Sequence, residues 1–251
     1  MLRTVAGLLA SAVMVSAADS ANKVSASSLY NTLPHVVDGA SWKTTIILAN
    51  LDDATRKYKL IFHGDDGQPR SFDLSGRGSV NVVSGEIPKG AVITLETAGT
   101  STQLNQGWAE LDGLGTDYKV GMMAIFGTTG IPGRPDFEAT VPGSTSIQYD
   151  GVLPFDNSRG FVTSVAVLNP SPFADETVPI TIYDESGKVL KSDAITLKAG
   201  RKIAFALPDR WAETAGKRGS LHFQGSLASW AVLGFRFNPG AAFTTVNLLE
   251  P

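Results

Sequence analysis

The stretch "SWKTTIILAN" at residues 41–50 is repeated in outline by "GFVTSVAVLN" at residues 160–169. Each has an aromatic residue near its start (Trp42 or Phe161), then hydroxyl-bearing and alternating aliphatic residues, and an asparagine (Asn50 or Asn169) at its end. Apolar side chains at every second position are typical of a β-strand that buries one face. The two stretches therefore predict two equivalent strands in the two halves of the chain.

The correspondence extends outward through five further blocks in the same order. They pair "LIFHGDDG" (60–67) with "ITIYDESG" (180–187), "IPKGAVITL" (87–95) with "LKAGRKIAF" (197–205), "GWAELDG" (107–113) with "GSLHFQG" (219–225), "VGMMAIF" (120–126) with "VLGFRF" (232–237), and "DFEATVP" (136–142) with "AFTTVNLLEP" (242–251). We infer two copies of one unit of roughly 110 residues, a usual size for a domain.

The pattern inside each unit predicts an all-β fold of two tandem Ig-like antiparallel β-sandwich domains related by internal duplication. Short alternating segments are separated by turn sequences such as "DDG" (65–67) and "ESG" (185–187), in which glycine takes the left-handed conformation. The Cys…Trp…Cys pattern of antibody domains is absent, so "Ig-like" refers to architecture alone. A single two-fold barrel built from both repeats is the rival arrangement.

Four segments are predicted along the chain: a signal peptide at 1–17, a flexible N-terminal segment at 18–33, β-sandwich repeat 1 at 34–144 and β-sandwich repeat 2 at 145–251. In "MLRTVAGLLASAVMVSAADS", Arg3 precedes a short apolar core, and "VSA" (15–17) matches a peptidase site that cleaves after Ala17. The alternative is a buried N-terminal helix. The signal predicts a secreted protein that is extracellular, on the cell surface or periplasmic.

Composition excludes several classes of partner. The 251 residues carry a formal net charge of −3, without the basic excess of a nucleic-acid-binding protein. There is no second long apolar run, so no membrane insertion is expected after signal cleavage. The chain has 0 cysteines, so neither disulfides nor a lipid-modified cysteine are expected.

Several phrases together carry a resemblance: "DGASWKTTIILAN", "IPKGAVITLET", "GWAE", "PGRPDFEATVP", "GFVTSVAVLNP", "RGSLHF" and "LGFRFNPGAAFTTV". The chain resembles a group of secreted, uncharacterised tandem β-sandwich proteins of acidobacterial type, and the likeness covers most of the chain after the signal. No activity or ligand is attached to that group. The resemblance therefore implies an exported bacterial protein and transfers no functional residue.

The sequence offers no constellation typical of catalysis or metal binding. His35, His63 and His222 lack zinc-ligand spacing and are expected to be solvent-facing strand residues. The carboxylate pairs Asp65–Asp66 and Asp184–Glu185 precede turn glycines, with a weak calcium site as the alternative. We expect no enzyme activity, no catalytic residue, no metal and no cofactor, although a pair of carboxylates across a cleft stays open.

Aromatic residues are the best functional candidates. Trp42 is expected in the core, whereas Trp108 is expected to face outward, where it can stack on a sugar ring or a partner surface. Trp108, Tyr118 and Trp230 are therefore the candidate ligand-binding residues, and burial under a loop or against the other domain is the alternative. Arg134 and Asp136 are expected to form a local ion pair.

Three functions remain. The first is an exported, non-catalytic structural or adhesion-type protein that acts through protein–protein contacts at the cell envelope or outside the cell. Its partners would be other envelope proteins, a second copy of itself or extracellular polysaccharide, and residues 18–33 could supply a strand to a neighbour. The alternatives are a carbohydrate-binding protein that uses exposed aromatics and an uncharacterised hydrolase.

Overall fold

The computed structural model describes residues 31–112, 119–144, 150–225 and 230–249. The predicted signal peptide and residues 18–30 of the predicted flexible segment lie outside this part of the chain. In the first half the strands are β1 (Asn31–Asp38), β2 (Trp42–Asn50), β3 (Arg56–Gly64), β4 (Phe72–Leu74), β5 (Gly78–Val80), β6 (Val82–Ile87), β7 (Val92–Glu96), β8 (Asn105–Asp112), β9 (Val120–Thr128) and β10 (Phe137–Pro142).

The second half continues with eight strands and one short helix. They are β11 (Asp150–Asp156), β12 (Val162–Leu168), β13 (Glu176–Asp184), β14 (Val189–Leu197), β15 (Lys202–Ala206), α1 (Leu207–Arg210), β16 (Arg218–Gln224), β17 (Ala231–Phe237) and β18 (Phe243–Val246). A single 3-10 turn over Ala212–Thr214 follows α1.

Each half forms two four-stranded antiparallel sheets, which confirms the all-β prediction. The strand orders are β1-β8-β3-β6 and β10-β9-β2-β7 in the first half, and β11-β16-β13-β14 and β15-β12-β17-β18 in the second. The two halves have the same strand order: β1-β8-β3-β6 corresponds to β11-β16-β13-β14, and β10-β9-β2-β7 corresponds to β18-β17-β12-β15. In the first half, β1 pairs with β8, and β2 lies between β7 and β9.

The alternation of the opening stretch becomes the core face of β2. Thr44, Ile46 and Leu48 are fully buried, and Thr163, Val165 and Val167 are buried at the equivalent positions of β12. Facing residues from the other sheet, such as Leu60 and Leu111, belong to the same apolar cluster of the first sandwich. Burial of such aliphatic side chains contributes about 1.5–3 kcal/mol each.

The repeated hydroxyls and asparagines are buried polar groups that fix the strand ends. Thr44 Oγ1 donates to Val37 O (2.6 Å) and accepts from Val37 N (3.1 Å), and Thr163 makes the same two bonds to Asp156 (3.2 and 3.0 Å). The Asn50 amide donates to the carbonyl oxygens of Ala54, Ile87 and Pro88, at 2.8, 2.8 and 3.1 Å. The Asn169 amide donates to those of Ala174, Leu197 and Lys198, at 2.8, 3.3 and 3.3 Å.

Two expectations about local structure are corrected. Residues Asn31–Leu33 were assigned to the flexible segment, but they begin β1 and are buried because β1 pairs with β8 along its length. Arg134 and Asp136 do not pair with each other. The Arg134 guanidinium instead donates to Ala241 O (2.9 Å) in the second sandwich, and Asp136 accepts from Gly130 N (3.1 Å). The strand that follows Asp136, β10, is an edge strand of its sheet.

We predict that Asn50→Ala and Asn169→Ala each lower the free energy of unfolding by about 2–4 kcal/mol, since each leaves several carbonyl groups without a donor. Urea unfolding followed by circular dichroism measures the change. Asn105→Ala is the matched control, because Asn105 makes one exposed bond to Ser71 O, and its cost should stay below about 1 kcal/mol. Equal losses of stability in the three variants would contradict the conclusion that Asn50 and Asn169 fix the strand ends.

Candidate functional site

A buried lysine lies at the junction of the two sandwiches. The Lys202 side chain, at the start of β15, is 0% exposed, and its ammonium group lies 2.9 Å from the Asp65 carboxylate. The same nitrogen contacts His35 Nδ1 at 2.7 Å and donates to Gly107 O at 3.0 Å. The ammonium group thus hydrogen-bonds His35 and Gly107 and forms an ion pair with Asp65, and the first sandwich supplies all three partners.

The acceptors come from three separate segments. Asp65 lies in the turn after β3, and Gly107 lies in β8. His35 lies at an irregularity of β1, where the register with β8 shifts between Leu33 and Val36. The equivalent pair β11–β16 has no shift in its register. The bulge is therefore a feature of the first sandwich, and bulges commonly redirect a side chain at a functional position.

Backbone contacts bring the two sandwiches together at the same place. Lys202 N donates to Asp65 O (3.0 Å), and Trp108 Nε1 donates to Gly200 O (3.1 Å). The Gly67 turn lies against the Gly200 turn so closely that a Cβ on Gly67 would be 2.6 Å from Gly200 O. Gly67 also has a φ of +78°, so a side chain there is excluded by both space and conformation.

Burial determines the protonation of this cluster. Burial, followed by the nearby Lys202 charge, holds the pKa of His35 well below its usual value, so the imidazole is neutral. Burial also lowers the pKa of Lys202, and the Asp65 carboxylate opposes that shift. Because an ammonium group only donates, His35 Nδ1 must accept, and the ring hydrogen therefore lies on Nε2.

A cleft of about 260 Å³ opens beside His35, between the two sandwiches. Its aromatic lining residues are Trp42, Phe126, Phe205, Phe235 and Phe237. Its polar lining residues are His35, Gln106 and Ser164. Trp42 was expected in the core; it is half-buried and packs against Phe243 of the second sandwich, with 5.1 Å between ring centres.

The structure places two of the three predicted ligand-binding residues in the interior. Trp108 is 2% exposed, so the prediction that it faces outward is wrong. It stacks on His63, with 4.1 Å between ring centres, and packs against Leu168 and Ala231. Burial against the other domain, the alternative reading of the sequence, is what the structure shows.

Trp230 is fully buried in the second sandwich, where its ring lies 5.3 Å from that of Phe223. Tyr118 lies outside the described residues. Neither of the two described candidates therefore offers an exposed ring for stacking.

Two histidines also differ from expectation. His35, expected to face solvent, lies in the junction, and half-buried His63 stacks on Trp108 with Nε2 3.6 Å from Glu110. His222 Nε2 lies 3.0 Å from Ser220 Oγ in a groove of about 620 Å³. No described carboxylate hydrogen-bonds His222, whereas the histidine of a Ser-His-Asp triad is oriented by one.

The carboxylates divide between turns and the junction. Asp66 accepts from Gln68 N (3.1 Å) and Asp184 accepts from Ser186 N (2.9 Å), as expected of turn residues. Asp65 instead pairs with Lys202 and accepts from Gln106 Nε2 (2.7 Å). Within the described ranges, no group of three His, Cys, Asp or Glu side chains could hold a metal ion. No helix there is long and apolar enough to cross a membrane.

Comparison with known proteins shows no family. No family model matches the chain, and no curated protein matches it. Two solved structures with 16% sequence identity are those of a β-glucuronidase from Bacteroides uniformis and of β-glucuronidase 2 from that organism covalently bound to cyclophellitol-6-carboxylate aziridine. Each alignment covers 86% of this chain but 25% of the other, with a TM-score of 0.18. The chain thus spans about a quarter of their length, and so low a score supports no functional argument.

We predict that Lys202→Met lowers the free energy of unfolding by about 2–4 kcal/mol, since it leaves Asp65 and two other acceptors without their donor. Lys198→Met is the matched control: Lys198 pairs with Asp175 at 2.6 Å, but both side chains are exposed, so its loss should be about 0–1 kcal/mol. Urea unfolding compares the two variants. If Lys202→Met lowers the free energy of unfolding no more than Lys198→Met does, the buried contacts of Lys202 do not stabilise the folded protein.

We also predict that stability falls with pH below about 6.5 because of His35. The folded protein keeps this imidazole neutral, whereas the unfolded chain binds a proton near pH 6.5. The stabilisation is therefore present above that pH and is lost as pH falls. Replacement by glutamine, which keeps an acceptor for Lys202, should reduce the slope between pH 6.5 and 5.5 by up to about 1.4 kcal/mol per pH unit. Unfolding midpoints across this range measure the slope, and parallel profiles would refute the assignment.

Proposed function

We propose that this chain is an exported, non-catalytic structural or adhesion-type protein that acts through protein–protein contacts at the cell envelope or outside the cell. We further propose that its two sandwiches arose by internal duplication, which is supported by the matching strand orders and by the matching Thr and Asn hydrogen bonds. One observation carries the functional proposal: the first sandwich has an uncovered apolar sheet face.

This open face is the outer side of β7-β2-β9-β10. Its apolar members are Ile47, Ala49, Val92, Met123 and Ile125. Val92 is 57% exposed and Met123 is 36% exposed, and neighbouring Leu51 is 69% exposed. In the central row Thr94, Ile47, Met123 and Pro142 are register partners across the sheet, without a charged side chain.

The equivalent face of the second sandwich is covered. Ala166 and Leu233, which correspond to Ile47 and Met123, are 3% exposed and belong to the apolar cluster of the first sandwich. Lys202 corresponds to Val92 and lies in the junction. In this chain, then, the outer side of this sheet packs against a β-sandwich in one of its two copies. Among the described residues, the second sandwich approaches the other copy at its β10 edge, where Met123 and Pro142 line a groove with Thr244 and Thr245, while Val92 stays exposed.

A second copy of this chain fits the open face best. An isologous contact places the uncharged central row of one protomer against the same row of its partner. Of the charges on this face, Lys43 and Glu96 pair with each other at 2.6 Å. Exposed Glu138 lies on β10 in the same cross-strand row as Lys43, two rows from the central one, so the uncharged rows can meet while Glu138 stays at the rim. Patches of this kind, with a polar rim, mark interaction sites in soluble proteins.

The alternatives have less support. A carbohydrate site on Trp108 or Trp230 is disfavoured because both rings are buried. For a hydrolase, the Ser220–His222 contact is the one arrangement of described side chains that resembles a catalytic pair, and it lacks an orienting carboxylate. β1 already pairs with β8 in the first sandwich, so a strand donated to a neighbour would have to come from residues before 31.

We predict that the chain lacking residues 1–17 dimerises with rising concentration and that Met123→Lys abolishes the dimer, because a charge would be buried in the contact. Light scattering after size exclusion and sedimentation equilibrium measure the mass. Val189→Lys, at a 48% exposed valine of β14 in the second sandwich, is the matched control and should still dimerise. A monomeric parent chain at all concentrations, or a dimer unaffected by Met123→Lys, would contradict self-association through this face.

A further inference from the structure

The cleft beside His35 is built by both sandwiches. The first contributes His35, Trp42 and Phe126, and the second contributes Phe205 and Phe237. His35 meets the Phe126 ring edge-on, with 5.7 Å between ring centres. Aromatic rings therefore stand on both walls, as in small-molecule sites that form where two domains meet.

One polar group in the cleft has a fixed direction. The Lys202 ammonium group donates a hydrogen bond to His35 Nδ1 at 2.7 Å. The ring hydrogen of the neutral imidazole therefore lies on Nε2, which is a donor. Among the described residues, Nε2 has no hydrogen-bond partner of its own. The burial of Lys202 and the β1 bulge hold the ring in this orientation, so the donor is present before any ligand arrives.

The lining determines which ligands fit. No Asp, Glu, Lys or Arg side chain lines the cleft, so nothing there balances a charged ligand. A sugar would bury several hydroxyl groups against a lining in which four side chains carry polar atoms (His35, Gln106, Ser164 and the Trp42 indole), and each unpaired hydroxyl costs binding energy. A volume of about 260 Å³ lies just below the usual range of ligand sites, about 300–1,000 Å³, which suits a molecule of one ring.

We propose that this cleft binds a small, uncharged aromatic molecule carrying one hydrogen-bond acceptor, which receives the hydrogen of His35 Nε2. The ring of the ligand lies between the aromatic walls, and its acceptor lies toward His35. This site is separate from the open face, so the proposal does not depend on self-association.

The ligand pair acetophenone and ethylbenzene tests the proposal on the unaltered chain. The two molecules have similar shape, but only the ketone has an acceptor. We expect saturable binding of acetophenone, observed by calorimetry or by ligand-detected NMR, and about fivefold to tenfold weaker binding of ethylbenzene. Methyl β-glucoside should not bind measurably.

A cleft-filling variant supplies the second arm. Ala204 lines the cleft and is exposed, so Ala204→Phe should block the site without disturbing the core, and acetophenone affinity should fall at least tenfold. Ala194→Phe, at an exposed alanine of β14, is the matched control and should bind normally. Absence of acetophenone binding, equal binding of the two ring compounds, tighter binding of the glucoside, or unchanged binding in Ala204→Phe would each overturn the proposal.

Discussion

The burial of one ammonium group determines how the two sandwiches are arranged. A lysine removed from water costs several kcal/mol unless its donors are satisfied, and Lys202 finds its acceptors on three segments of the first sandwich. Those segments meet at one point because β1 is bulged and because Gly67 lets the facing turns touch. The cleft and the burial of Trp108 then follow from the same contact.

The two sandwiches share a strand order, but the ends at which Thr44 and Thr163 lie are covered by different residues. In the first, the residues around Thr44 include Trp42 and Phe126, and the second sandwich covers them. In the second, Asp156 takes the place of Val37, and Arg236 pairs with it at 2.7 Å while lying over the Phe161 ring at 3.5 Å. Burial opposes ionisation of Asp156, but hydrogen bonds from Ser158 and Arg236 hold its pKa well below the usual range. An apolar partner on this end would take the Asp156–Arg236 pair out of water, and this desolvation cost disfavours a further domain at this end of the second sandwich.

Local periodicity predicted the strands, their buried faces and the turn glycines, because these depend on neighbours along the chain and across one sheet. It failed for Trp108 and His35 and did not single out Lys202, because the other sandwich buries the side of a strand that the pattern assigns to solvent. A usable signal existed: 165–168 and 231–235 are unbroken apolar runs, as expected of strands buried on both faces. Which partner covers the second face is not encoded in the run itself.

The proposed dimer contact and the proposed ligand cleft use opposite sides of one sheet. In β9, Phe126 lies on the inner side and lines the cleft, while the adjacent Ile125 belongs to the open face. This sheet has four regularly paired strands, and the two sites lie on its opposite faces. A ligand that fixes both walls of the cleft stabilises the junction, but it need not alter the outer side, because packed sheets resist continuous deformation. The two activities are therefore expected to be energetically independent, with Lys202 essential to the cleft and dispensable for the open face.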